Sequence, residues 1–175
     1  MADKTLKGLT KTLRALEKFG IEADKGVDAI AEATANDIGA DAKTNAPKNL
    51  GKLAQSISSP AIKLSDSNYK VSVTANYAGY VEFGTGAKVS IPAEMQELAS
   101  RLRGEKGTFE EGLQSIRDWC RSRGIELSAA YPIFISILKK GIEPQPFLYP
   151  AFLKGRKNYL KDLNRFLNDL TKKYE

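Results

Sequence analysis

The chain has 175 residues, 42% of them apolar and 27% charged, proportions that suit a soluble globular domain with a real core. It contains no histidine and a single cysteine, Cys120. Ser-His-Asp and Cys-His catalysis, histidine metal sites, thiolate zinc clusters and intrachain disulfides are therefore excluded.

The formal net charge of +6 raises nucleic acid as a partner. The basic residues are scattered, however: Lys4, Lys7, Lys11 and Arg14, then Arg101, Arg103, Arg117, Arg121 and Arg123, then the stretch 154–173. Acidic residues such as Glu110, Glu111, Asp162 and Asp169 lie among them. No helix-turn-helix, zinc-finger or RRM pattern accompanies the charge, so specific nucleic-acid binding is disfavoured. No carboxylate pair or lysine stands out for chemistry, and neither a cofactor nor a metal is expected. No apolar run approaches the ~18 residues needed to cross a bilayer. The opening MADKTLKGLTKTLRAL lacks a continuous apolar core and a cleavage site, and reads as a mature helix in the cytoplasm of the producing cell. Cys120, beside Trp119 and between Arg117 and Arg121, reads as a buried helix cysteine or an electrostatically favoured thiolate.

In chain order, Leu6, Leu9, Leu13, Leu16 and Phe19 recur at helical spacing, with Gly20 as the expected stop. A second helix is predicted over 24–45, with Val27, Ile30, Thr34, Ile38 and Ala42 on one face and Pro47 beyond its end. Residues 56–64 are β-compatible, Pro60 marking an edge strand or a bend. Ser65-Asp66-Ser67-Asn68 is a polar turn, and Tyr69 to Ala75 alternates cleanly, so an antiparallel hairpin is predicted. Residues 77–86 read as a short helical turn and a tight glycine loop. A helix over 91–103 has Pro92 in its first turn and Met95, Leu98, Ala99 and Leu102 as its apolar face. Gly104 and Gly107 break it. Thr108 and Glu111 form a capping-box signal for a helix to Arg123 closed by Gly124, with Phe109, Leu113, Ile116 and Cys120 on its apolar side. Another helix spans 128–140, carries Ile133, Phe134, Ile137 and Leu138, and stops at Gly141. Two prolines make 143–147 extended. From Pro150 a long helix follows, its stripe built of Phe152, Tyr159, Leu163, Phe166 and Leu170, widened by Leu160 and Leu167. The fold class is α+β: a small antiparallel sheet packed against an N-terminal helical segment and a long C-terminal helix.

Three segments carry more than structure. Ala46-Pro47-Lys48-Asn49-Leu50-Gly51-Lys52-Leu53-Ala54-Gln55-Ser56-Ile57 has the form A-P-x-x-x-G-x-L-x-x-S-I. Tyr77-Ala78-Gly79-Tyr80-Val81-Glu82-Phe83-Gly84-Thr85-Gly86 is aromatic and glycine-rich. Pro144-Gln145-Pro146-Phe147-Leu148-Tyr149-Pro150-Ala151 is the third. In this order the trio resembles the tail-completion, or head-tail joining, proteins of long-tailed double-stranded-DNA bacteriophages and prophages. Asn49 and Leu50 depart from the family pattern, which has an acidic or polar residue and then threonine before the glycine. Residues 87–124 are longer than in compact members and read as a helical insertion within a single domain.

The resemblance implies a structural virion protein, not an enzyme, made in the host cytoplasm and placed in the neck region of the tail. It implies a ring, sixfold, at the capsid-proximal end of the tail, with the tail-tube protein and the head connector as partners. The expected interface residues are Tyr77, Tyr80, Glu82, Phe83, Gly84, Thr85, Gly86, Pro144, Gln145, Pro146 and Phe147. Plainer alternatives stand beside them: Tyr77, Tyr80 and Phe83 as ordinary core packing, Pro144 and Pro146 as a linker docking Phe147 in its own core, Glu82 facing solvent instead of a neighbour's basic residue, and Gly84 and Gly86 as an ordinary turn. The rival reading of the whole chain is a basic DNA-binding accessory protein.

Overall fold

The computed structural model describes residues 2–48, 51–75, 77–104 and 108–175. Asn49, Leu50 and Gly107 lie outside the described residues, as do the side chains of Leu6 and Leu102. The architecture is α+β: long helices and one two-stranded antiparallel sheet. In order come α1 (Ala2–Asn45), α2 (Lys52–Ser56), β1 (Ile62–Ser65), β2 (Asn68–Lys70), α3 (Ala78–Phe83), α4 (Gln96–Gly104), α5 (Phe109–Arg123), α6 (Ala130–Lys140) and α7 (Leu148–Tyr174).

The chain forms two compact units. The first comprises α1 as far as Asp41, the hairpin segment Ser58–Ser72 and Ala151–Glu175. Here α1 is one helix where two were predicted, because Gly20 does not break it. A helical glycine costs only about 1 kcal/mol against alanine, and Gly20 neither adopts a positive φ nor meets another atom. Helices α1 and α7 run antiparallel. Phe19 packs edge-on against Tyr174 with ring centroids 5.4 Å apart, and Glu22 pairs with Lys173 at 2.7 Å. Farther along, Gly26 faces the Phe166 ring, Gly155 faces Ile38 and Thr34, and Asp41 pairs with Lys154 at 2.8 Å. The glycines let the helices approach, so the α7 positions turned inward are Ala151, Gly155, Phe166 and Leu170. Phe152, predicted on that face, is exposed.

The hairpin is held to α1 by side chains. Asn36 Oδ1 accepts the Ala61 N–H at 2.8 Å. Asp28 accepts from Lys63 Nζ at 2.8 Å, from the Ser67 N–H at 2.7 Å and from the Tyr69 hydroxyl at 3.1 Å. These bonds, the Lys63 ammonium foremost, hold the Asp28 carboxyl below the usual aspartate range and push the Lys63 ammonium up. The second strand ends at Lys70, short of the predicted Ala75; beyond it the Ser58 N–H still reaches Ser72 O at 2.7 Å.

The second unit comprises Ala42–Ile57 and Val73–Pro150. An isolated bridge joins Ile57 to Val73. Phe83, Met95 and Ala99 form a core cluster, with Ile91, Leu98 and Tyr149 packed on it. The stretch 87–124 lies within this unit as short turns, α4 and α5. Thr108 and Glu111 make the predicted capping box, at 2.7 and 3.2 Å, and the Thr108 N–H holds the Glu111 carboxyl below its ordinary range. Helices α5 and α6 pack where Gly112 admits the Phe134 ring, which also meets Phe109 edge-on at 5.0 Å. Cys120 is fully buried and unpaired with any other cysteine. Leu138, predicted inward, is exposed.

Two predictions follow from the first unit. Gly155→Val drives a branched side chain into Ile38 and should cost about 1–3 kcal/mol in urea unfolding, whereas Gly20→Ala should gain up to about 1 kcal/mol; equal midpoints would contradict this packing. Because the folded-state value for Asp28 is depressed, its contribution is complete above the ordinary aspartate range and is lost as pH falls through the folded value. In an NMR titration the Ser67 amide should shift with a midpoint below ~3.9. A midpoint at or above that value would contradict the anchor.

Candidate functional site

Within the second unit, the second and third of the distinctive segments meet. Helix α3 supplies Glu82 near its C-terminal end, and Gly84 follows with φ 72°, a conformation favouring glycine. The Pro-Phe arm, residues 141–150, runs beside it. Thr85 and Ile142 exchange two bonds: the Thr85 N–H donates to Ile142 O at 3.1 Å, and the Ile142 N–H donates to Thr85 Oγ1 at 2.8 Å. A Cβ on Gly84 would sit 2.7 Å from Ile142 O, and one on Gly141 would collide with Thr85 O. The two glycines are thus required by close backbone approach. Lys88 and Glu143 add an exposed ion pair at 2.7 Å.

The centre of the junction is the Glu82 carboxylate, only 4% exposed. Oε2 accepts the N–H groups of Phe147 at 2.8 Å and Leu148 at 3.0 Å, and Oε1 accepts that of Tyr149 at 2.8 Å. The Gln145 N–H donates to Val81 O at 2.8 Å. Pro144, Pro146 and Pro150 have no N–H, so every backbone donor between Pro144 and Pro150 is accounted for. Leu148 opens α7, whose first N–H groups have no partner within the helix. An anion there gains from charge-assisted hydrogen bonds and from the helix dipole. Glu82 is therefore a helix cap delivered from a helix 65 residues away in sequence.

Asn45, the residue before the first segment, also reaches the arm: its Nδ2 donates to Phe147 O at 3.4 Å. Ala46, Leu53 and Ile57 are buried in the same unit. The Phe147 side chain, 1% exposed, docks within its own chain, as does Phe83.

The expected interface residues therefore divide. Glu82, Phe83, Gly84 and Phe147 are buried, the Glu82 carboxylate bonded to backbone N–H groups of its own chain. Thr85, Tyr80 and Pro144 are half-buried, and Tyr77, Gly86, Gln145 and Pro146 face outward. Partial burial pushes the Tyr77 phenol up. Sequence reasoning missed Asn45, Asp28 and Asn36 as anchors. The signal for the Glu82 role was the scarcity of N–H groups in P-x-P-F-L-Y-P, which makes each remaining donor need a partner. Among the described residues no cluster of His, Cys, Asp or Glu is arranged to hold a metal, and no helix is long and apolar enough to cross a membrane.

Glu82→Gln places an amide NH2 where the carboxylate received N–H groups. It should cost about 1–3 kcal/mol in chemical unfolding of the whole chain. An unchanged midpoint would mean that the junction does not depend on the charge.

The sequence model of the family described as "Bacteriophage HK97-gp10, putative tail-component" matches residues 8–84. The match agrees with the resemblance to tail-completion proteins; it takes in the first segment and most of the second and ends at Gly84, before the Pro-Phe arm. No curated protein and no solved structure matches the chain.

Proposed function

We propose that this chain, whose residues 8–84 match a family of bacteriophage tail components, is a tail-completion or head-tail joining subunit that closes a sixfold ring at the capsid-proximal end of the tail. The observation that carries the reading is that match, which takes in the first of the three ordered segments and most of the second. The geometry supports a binding role. The Glu82 junction fixes the Pro-Phe arm against α3 and leaves Tyr77, Gly86, Gln145 and Pro146 on the outside of a stiff support. Rigid, partly apolar groups on such a support lose little entropy on docking. They are the part of the expected interface assigned here to contact with the next subunit or the head connector. Glu82, Phe83, Gly84 and Phe147 act by positioning them.

Residues 87–124 begin just after the family match ends. We assign α4 and α5 to an added flap that faces outward or toward a neighbour. A heterologous interface that returns on itself produces the ring, and the tail-tube protein and head connector bind its two faces. Passing DNA would be retarded by a dense basic lining, so the surplus lysines belong outside the channel.

Electron microscopy of particles produced with and without this gene tests the reading. Loss of finished tails or of head-tail joints is the expected result. Normal infectious particles without the gene would overturn it.

A further inference from the structure

Among the described residues of the first unit, two apolar stripes are exposed wholly or in part. Every described residue of α1 from Gly8 to Lys18 is exposed, and the pairing of α1 with α7 is last marked at Phe19 on Tyr174. Leu9, Leu13 and Leu16 are 57%, 57% and 62% exposed. Their spacing of four and three sets them on one seam of the helix. On α7, Leu160 and Leu167 are 51% and 38% exposed, with half-buried Leu163 between them, at a spacing of three and four. Read in opposite directions, the two stripes have the same spacing. Antiparallel docking therefore sets Leu16 on Leu160, Leu13 on Leu163 and Leu9 on Leu167.

The flanks agree with that register. Beside the α1 seam lie Thr10, Thr12 and Glu17, while Lys11, Arg14 and Lys18 fall on the opposite side of the helix. Beside the α7 stripe lie exposed Lys157 and Asn164. The antiparallel register sets Glu17 near Lys157 and Thr10 near Asn164, so no like charges meet.

We infer that the α1 segment 9–16 of one copy docks on the Leu160–Leu163–Leu167 face of the next copy, forming the head-to-tail contact of the assembly. A two-fold pairing of α1 segments would cover one stripe and leave the α7 face bare; docking one on the other covers both. Three leucines a side remove only a few hundred Å² from water, well short of the ~1,200 Å² of a stable interface. The contact therefore forms when other surfaces already hold copies together at high effective concentration. Its role in a closed ring rests on the proposed tail-completion reading; the helix contact does not.

Disulfide trapping tests it. Full-length chains carrying Leu16→Cys or Leu160→Cys are produced together in phage-assembling cells under distinct tags, and Lys18→Cys replaces Leu16→Cys in the control. Native Cys120 is fully buried and serves as an internal blank. The mixed pair should cross-link on oxidation, the control pair should not, and Leu13→Asp should lower the assembled fraction about tenfold or more with helix content unchanged. Rings without the mixed cross-link would overturn the contact while leaving the ring reading intact. The mixed cross-link in open chains would support the contact and overturn the closed ring. Cross-links from Leu16→Cys alone, or neither ring nor cross-link, would overturn the contact.

Discussion

One buried carboxylate organises the second unit. Taking an ion such as Glu82 out of water costs several kcal/mol unless its oxygens are well partnered. Here three backbone N–H groups partner it, two of them at the opening of α7, where the helix has donors to spare. The prolines at 144, 146 and 150 leave the arm few N–H groups, and those that remain converge on Glu82 and on Val81 O. The path of the arm then dictates the rest. Gly84 and Gly141 must lack side chains because the backbones of the two segments nearly touch, and Tyr149 comes to rest on the Phe83 cluster.

This arrangement separates two tasks that the sequence pattern had merged. The three family-like segments are chiefly an internal support: their most distinctive residues are the most buried. Exposed groups remain on the outer rim of the junction and on the leucine stripes of α1 and α7. The first unit buries mainly alanine, glycine and Leu170, and leaves several large apolar side chains outside. Contiguous exposed apolar surface of this kind marks interaction sites more often than idle surface. The stiff frame and the uncovered apolar faces are here carried by different residues.

Local signals were legible in the sequence. The Thr108–Glu111 capping box, the αL glycine at 124 and the hairpin turn at 66–67 depend on neighbours a few residues apart, and all three stand where residue type demanded. Buried Cys120 was equally legible, as one of the two readings its surroundings allowed. Gly20 misled because a glycine inside a helix and a helix stop look alike in sequence without the backbone angle. The inward face of α7 was misplaced at Phe152 because glycines set the close approach to α1: Gly155 admits Ile38, and Gly26 of α1 admits Phe166. Asp28, Asn36 and Asn45 were illegible as anchors because their partners lie 25 to 102 residues away; for Glu82 the donor-poor arm was the one signal. A polar residue whose partner is distant looks like surface until the chain is folded.

The most direct measurement of the central claim is amide hydrogen exchange at Phe147, Leu148 and Tyr149. If the Glu82 carboxylate holds these three N–H groups, they should exchange together, only through the opening that unfolds the second unit, and far more slowly than the neighbouring Glu143 amide. Exchange at the rate of an exposed loop, or three unrelated rates, would show that the carboxylate does not hold the junction.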